Sequence, residues 1–346
     1  MSSEAPPKTM ADNANLKVVL GTMTIAKKDT LYDRISSPSE AAQLLDLCAQ
    51  HHVSELDTAR VYGWGTSEEM LGELRYEERG FSVSTKLFPS KGFPGIKPHM
   101  VYTHRPEDLR KGLMDSLKAL GAKKVDIFYL HAPDRKHASF EETLKGVNEL
   151  YEEGLFERFG LSNFMSWEVS HIHSLCTAHS WIRPSVYQGV YSLLQRRVED
   201  ELIPCLRHHG IAFYVYSPLA GGLLTGKYRQ EQTEFEEGGR FDKKKIVGQH
   251  NHVKYWRGEV FEALEKIREV ASKHDLTVAE TAMRWLKWHS VLDSGKGDAV
   301  IVGASSAKHL EENLGDLEKG PLPVEVVEVV AGVWEGVKGK GDKYWA

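Results

Sequence analysis

The feature that most constrains this chain is an alternation, in which short apolar runs of β type are separated by longer amphipathic stretches, about eight times over. Strand, helix and strand again is the unit from which parallel sheets are built. The strand candidates are 18–23, 54–59, 81–87, 125–131, 157–163, 186–191, 211–217 and 299–303. Between them the helix signals are well placed. Ser37-Pro38-Ser39-Glu40 and Arg105-Pro106-Glu107-Asp108 open helices, and Gly121, Gly154 and Gly210 stand where helices should end. Eight such units are expected to close into an α/β barrel of the (β/α)8 TIM type. The competitor, an open doubly wound sheet, needs a glycine-rich turn directly after its first strand, and Gly21-Thr22-Met23-Thr24 is not that turn. The spacing breaks once, after the seventh strand, where 227–256 is polar, charged and glycine-bearing before a helix starts near Glu259. A long loop there would lie over the C-terminal mouth of the barrel. Two extra helices, 307–316 and 324–337, follow the eighth strand.

A chain of 346 residues could hold two average domains or one barrel, and the periodicity favours one. With 44 Lys+Arg against 49 Asp+Glu there is no basic excess to neutralise phosphates, so no nucleic-acid partner is expected. The most apolar stretch, 211–224, is broken by Ser217, Pro218 and glycines, short of the roughly 18 apolar residues a membrane span needs. Three scattered cysteines, Cys48, Cys176 and Cys205, make neither a disulfide framework nor a zinc site. The opening MSSEAPPKTMADNAN lacks a basic region followed by an apolar block. The expectation is a disordered arm over 1–15, one barrel domain over 16–346, and a cytoplasmic protein.

Four ionisable residues fall at the ends of predicted strands two, three and four: Asp57 and Tyr62, Lys86, and His131. In a barrel they emerge on one rim. Each alone has an ordinary explanation as a cap, a solvated charge, loop packing or a core histidine. Together they form a chemical set. A nearby ammonium favours phenolate, so Lys86 is expected to lower the pKa of Tyr62, while Asp57 keeps a buried Lys86 charged. His131 can fix a carbonyl oxygen beside the tyrosine hydroxyl. Such a set suits protonation of a carbonyl oxygen while something else attacks the carbon.

The motifs that carry these residues resemble those of the aldo-keto reductases, most closely the aflatoxin-aldehyde reductase branch. The resemblance runs from about Val18 to Val337 through Asp57-Thr58-Ala59, Val61-Tyr62-Gly63, Thr85-Lys86, Leu130-His131-Ala132-Pro133-Asp134, Gly160-Leu161-Ser162-Asn163, Ser217-Pro218-Leu219-Ala220-Gly221-Gly222 and Val302-Gly303-Ala304-Ser305-Ser306. It implies a nicotinamide cofactor, NADPH rather than NADH, lying across the rim, with Asp57, Tyr62, Lys86 and His131 as the catalytic tetrad. Ser162, Asn163 and Gln188 would meet the carboxamide, although cross-strand bonding inside the barrel also accounts for Gln188. Tyr216 matches the aromatic on which the nicotinamide stacks. Ser217, Leu219 and Gly221 offer backbone N–H groups to the pyrophosphate, with Lys227 adding charge. Arg240 matches a further cofactor position of the branch. Gly303, Ser305, His309 and Asn313 match the segment that holds the adenosine end, where Lys308 could also reach a 2′-phosphate.

The implied activity is reduction of an aldehyde or reactive ketone, a small carbonyl substrate, to an alcohol. Two other roles are open: a cofactor-sensing subunit of the kind that accompanies ion channels, and a biosynthetic dehydrogenase running from alcohol to ketone. A homodimer is also left open. Asn251 and Lys254 stand where carboxylate-reducing members of the branch carry Tyr and Arg, which points to neutral substrates. Two further motifs mislead. Gly221-Gly222-Leu223-Leu224-Thr225-Gly226-Lys227-Tyr228 nearly spells a nucleotide P-loop, but Tyr228 occupies the place of the magnesium-binding hydroxyl. The pairs His171/His173 and His208/His209 do not have the spacing of ligands on one helical face, so no metal is expected.

Overall fold

The computed structural model describes residues 13–338 and 343–346. Eight parallel strands close in sequence order: β1 (Lys17–Gly21), β2 (Glu55–Asp57), β3 (Ser82–Leu87), β4 (Val125–Leu130), β5 (Phe156–Ser162), β6 (Pro184–Val190), β7 (Ala212–Tyr216) and β8 (Ala299–Gly303). The ring is completed by β1 on β8, in register from Lys17 opposite Ala299 to Gly21 opposite Gly303. The chain is therefore a (β/α)8 barrel, and each strand lies within two residues of its expected bounds at either end.

Two apolar layers hold it together. Inside the barrel, Val19, Ile127, Tyr129, Val186, Tyr214, Ala299 and Ile301 fill the lumen. Tyr129 fits because Gly160, on the next strand, has no side chain; a Cβ there would come within 2.2 Å of the Tyr129 ring. Outside, the opposite faces of the strands meet the apolar stripes of α1 (Pro38–Gln50), α2 (Thr66–Glu73), α3 (Pro106–Leu120), α4 (Phe140–Glu152), α5 (Ser166–Ala178) and α6 (Leu202–His209). Their ends follow the sequence signals. Ser37 caps α1 by accepting from the Glu40 N–H, Ser139 caps α4 through Glu142, and Gly121 and Gly210 close α3 and α6 in the left-handed conformation.

Two regions differ from expectation. The stretch after β7 is not all loop: it contains α7 (Ile246–Tyr255) before α8 (Gly258–Lys273) and α9 (Val278–Trp288). Helix α7 has little apolar periodicity and exposes Val253, so no amphipathic pattern announces it. It is held instead by aromatic packing, in which Phe241, Trp256 and Phe235 surround His252 and Tyr228 packs on Phe241. The second difference is at the arm expected over 1–15. Residues 1–12 lie outside the described residues, but Asn13 is buried, donating to the Leu292 carbonyl at 3.0 Å and accepting from the Ser294 N–H. The chain ends through α10 (Ala307–Glu318) and α11 (Val324–Val337). Among the described residues no helix is long and apolar enough to cross a membrane.

Candidate active site

Parallel strands deliver their C-terminal ends to one side, and four side chains gather there. Asp57 ends β2, Lys86 is the penultimate residue of β3, His131 directly follows β4, and Tyr62 opens a 3-10 turn over Tyr62–Gly65. Lys86 is fully buried and Asp57 nearly so. The ammonium donates to Asp57 Oδ2 and to the Thr58 carbonyl, both at 2.7 Å. The other carboxylate oxygen, Oδ1, accepts from Gln188 Nε2 at 2.7 Å. Lys86 Nζ then lies 5.1 Å from the centre of the Tyr62 ring, and the His131 ring meets Tyr62 edge to face at 5.8 Å. All four residues expected to act together are brought together.

Their protonation departs from expectation in one respect. Burial, followed by the Asp57 carboxylate, pushes the Tyr62 hydroxyl well above its ordinary pKa, so the expected lowering by Lys86 is not found. Burial outweighs the ammonium, whose charge is shared with Asp57 and the Thr58 carbonyl. Lys86 is itself pulled down by burial and pushed back by Asp57. His131 is held well below its ordinary value by burial and then by Lys86, so it is a neutral imidazole, and its Nδ1 is buried without a partner among the described residues.

One buried residue was not anticipated. Glu68, on the first turn of α2, pairs with Arg60 and accepts from Thr85 Oγ1 at 2.6 Å. It adds a second carboxylate behind Lys86. The pairing needs Gly65, at φ 93°, because a Cβ there would fall 1.9 Å from Arg60 Nη2. A glutamate in a first helical turn reads as an ordinary dipole partner, which hid it.

The residues matched to a cofactor line the same rim. Asn163, in the left-handed region at φ 63°, donates to the His131 carbonyl and to Ser162 Oγ at 2.9 Å and accepts from the Tyr216 hydroxyl at 2.8 Å. Ser162, Asn163 and Tyr216 thus form one network, while Gln188 gives an N–H to Asp57 within the barrel. The end of the chain reaches this network, the Ala346 N–H donating to the Asn163 carbonyl at 3.0 Å. After β7, Ser217 has positive φ, Leu219 is half-buried, and Gly221 and Gly222 turn at φ 68° and 97°. Asn251 rests against Gly221 and donates to the Arg240 carbonyl at 2.8 Å, bracing the stretch after β7. Lys227 faces Glu236 at 3.6 Å. The Arg240 guanidinium lies 3.6 Å from Met23 Sδ, close enough to Tyr62 and Tyr32 to act on their charge, and it has no carboxylate partner among the described residues. Beyond Gly303, Ser305 Oγ is 3.1 Å from His309 Nδ1, and Asn313 is buried on α10.

A closed parallel barrel with a lysine–aspartate pair beneath a rim tyrosine defines a class, that of barrel oxidoreductases. The aldo/keto reductase family profile matches residues 17–335, and the chain belongs to that family, whose members work with nicotinamide cofactors. It is 48% identical over 303 residues to an aldo-keto reductase of Pseudocercospora fijiensis, covering 88% of this chain and 100% of the relative. It is 39% identical over 354 residues to human aflatoxin B1 aldehyde reductase member 2, covering 100% of this chain and 92% of the relative. Among solved structures, a glycerol dehydrogenase from Gluconobacter oxydans shares the fold with a TM-score of 0.72 at 22% identity, over 91% of this chain and 90% of that one.

Proposed function

We propose that the protein reduces aldehydes or reactive ketones to alcohols with NADPH, and that Tyr62 gives the proton. The observation that carries this reading is the protonated Tyr62 hydroxyl, free of hydrogen bonds among the described residues, above a buried Lys86–Asp57 pair and beside a neutral His131. The site fits the cofactor on two further observations. Gly221 and Gly222 leave the turn after β7 free of side chains, and Arg240 is a guanidinium with no anion of its own. Ser162, Asn163 and Gln188 would hold the carboxamide, and Tyr216 would stack on the ring. Ser217, Leu219, Gly221, Lys227 and Arg240 would hold the pyrophosphate, and Gly303, Ser305, Lys308, His309 and Asn313 the adenosine end.

The bound cofactor supplies a hydride to the carbonyl carbon. The chain's residues handle the oxygen. His131, as a neutral imidazole, offers an N–H that orients the carbonyl without giving up a charge. Tyr62 holds its proton in the resting site and donates it as negative charge grows on the oxygen. The phenolate left behind is stabilised by Lys86, whose position is fixed by Asp57 and the Thr58 carbonyl. Asn251 gives its amide to the Arg240 carbonyl and has no planar guanidinium fork to offer a substrate carboxylate, which supports neutral carbonyl substrates.

The test is NADPH consumption across a panel of reactive aldehydes and dicarbonyls. Saturable turnover is expected. Tight NADPH binding with negligible oxidation on every substrate would replace this reading with that of a cofactor-sensing subunit.

A further inference from the structure

On the outer wall of the barrel, α5 and α6 present histidines to one another. The His173 and His209 rings lie 4.3 Å apart, and the His208 ring is 4.8 Å from that of His209. Arg183 joins them in a shallow groove of about 630 Å³ that Ser174 and Thr177 also line. Arg183 and His209 stand just before β6 and β7 begin, so the groove opens at the N-terminal end of the barrel, opposite the redox site.

This patch holds one permanent cation, Arg183, beside three histidines that can take up protons. None of the residues that line the groove is a carboxylate. Arg183, His173 and His208 have no ion pair among the described residues. Nor is this a metal site, since no three His, Cys, Asp or Glu side chains among the described residues are arranged to hold an ion. What such a groove lacks is an anion.

We infer that the groove binds a phosphate monoester dianion of metabolite size, gripped by the Arg183 guanidinium and by protonated His173 and His209. The planar fork of arginine matches two phosphate oxygens, and imidazolium N–H groups give charge-assisted hydrogen bonds to the others. The groups facing His173 are His209, Arg183 and His208; those facing His209 are His173, His208, and Ser170, whose Oγ lies 3.0 Å from His209 Nε2 and 3.3 Å from Cys205 Sγ. Burial first, then these neighbouring cations, holds His173 below its ordinary pKa, and burial then His208 does the same for His209. A dianion reverses the repulsion, so binding takes up protons. The carbonyl end of α6, at His209, favours the charged form further. The groove is larger than one phosphate group needs, which leaves room for the organic part of an ester.

Calorimetry of the full chain with glycerol 3-phosphate, inorganic phosphate and sulfate, at pH 6.5 and pH 8, tests this. Saturable binding of glycerol 3-phosphate is expected at pH 6.5, at least tenfold weaker at pH 8 and tighter than that of either inorganic ion. Arg183→Gln and His209→Gln should each weaken it at least tenfold at pH 6.5. An affinity indifferent to pH, or to Arg183→Gln, would overturn the inference. So would sulfate or inorganic phosphate binding as tightly as the ester, which would leave only a general anion patch. Arg183 is exposed, so its variant folds, and the pH series needs no variant. None of these measurements depends on turnover, so their outcome is separate from that of the redox reading.

Discussion

The two ends of the same barrel carry similar residues arranged to opposite purposes. At the N-terminal end, Lys17 pairs with Glu55, Arg158 forks Asp126 at 3.0 and 2.6 Å, and the Tyr214 hydroxyl donates to Glu55 at 3.2 Å. Each of these charges, within the barrel wall, has a partner. At the C-terminal end, Asp57 faces Lys86, but among the described residues Arg240 has no carboxylate, the buried His131 Nδ1 has no partner and the Tyr62 hydroxyl makes no hydrogen bond. Buried polar groups are ordinarily satisfied, so a mouth that leaves them unmet is built to receive something. The comparison separates charge that holds the barrel from charge that works.

The largest effect is expected where the unmet groups react. Tyr62→Phe removes the proton donor but none of the cofactor contacts, and general acid catalysis is typically worth about 10² to 10⁴ in rate. kcat on a good aldehyde should fall by that factor with NADPH affinity retained in fluorescence titration. A variant keeping more than about a third of wild-type kcat would end the assignment of Tyr62.

The next test sets the two ends against each other. Lys86→Met leaves the Asp57 carboxylate buried without its cation, a loss of about 3 to 5 kcal/mol in stability, together with most of the turnover. Arg158→Met, at the other end, removes a partly exposed ion pair. It should cost about 1 to 3 kcal/mol and leave kcat within twofold. Chemical denaturation and steady-state kinetics on both variants decide it, and equal losses of activity would dissolve the distinction.

How far this distinction is legible in the sequence depends on what makes each residue's position. The strands are read because eight apolar runs alternate with amphipathic ones, and the gathering of Asp57, Tyr62, Lys86 and His131 because each lies at or just beyond a strand end, where topology brings it to the rim. Helix α7 is not read, since its hold comes from Phe241, Trp256 and Phe235 closing around His252, contacts no local pattern records. The same limit applies to charge. Lys86 beside Tyr62 suggests a lowered phenol pKa, and burial of the hydroxyl, with Nζ turned into Asp57 and the Thr58 carbonyl, reverses that. Glu68 and the Ala346 contact with Asn163 likewise depend on approaches between distant segments.

Acid should expose the mouth's neutral histidines. Burial pulls His104, bonded to the Leu87 carbonyl at 3.2 Å, down to about 4. The unfolded chain takes up that proton near 6.5, so the folded state binds fewer protons between these values. Stability is therefore full above about pH 6.5 and declines as pH falls toward 4, by roughly 3 kcal/mol for this one group. His131, shifted the same way, adds to the slope. Urea midpoints from pH 7 to 4.5 should follow that decline, and His104→Gln should flatten it; an unchanged slope in the variant would assign the acid sensitivity elsewhere.

The smallest effect concerns the far end of the mouth, where charges are exposed and each contact is worth less. Arg240 lies beside Tyr62 and Tyr32, so a 2′-phosphate at the adenosine end falls to Lys308, His309 and Ser305. Lys308 is solvated and only loosely paired with Glu312 at 3.8 Å, which leaves it free to turn toward an anion. A single charge-assisted contact is worth roughly 1.5 to 3 kcal/mol, so NADPH should exceed NADH in kcat/KM by at least about tenfold. Lys308→Met should shrink that ratio toward one by weakening NADPH alone, leaving kcat with saturating cofactor intact, because nothing at the tetrad changes. A ratio near one in the wild type would mean that neither Lys308 nor His309 meets the phosphate, and the recognition would then have to come from the pyrophosphate turn and Arg240, which cannot tell the two cofactors apart.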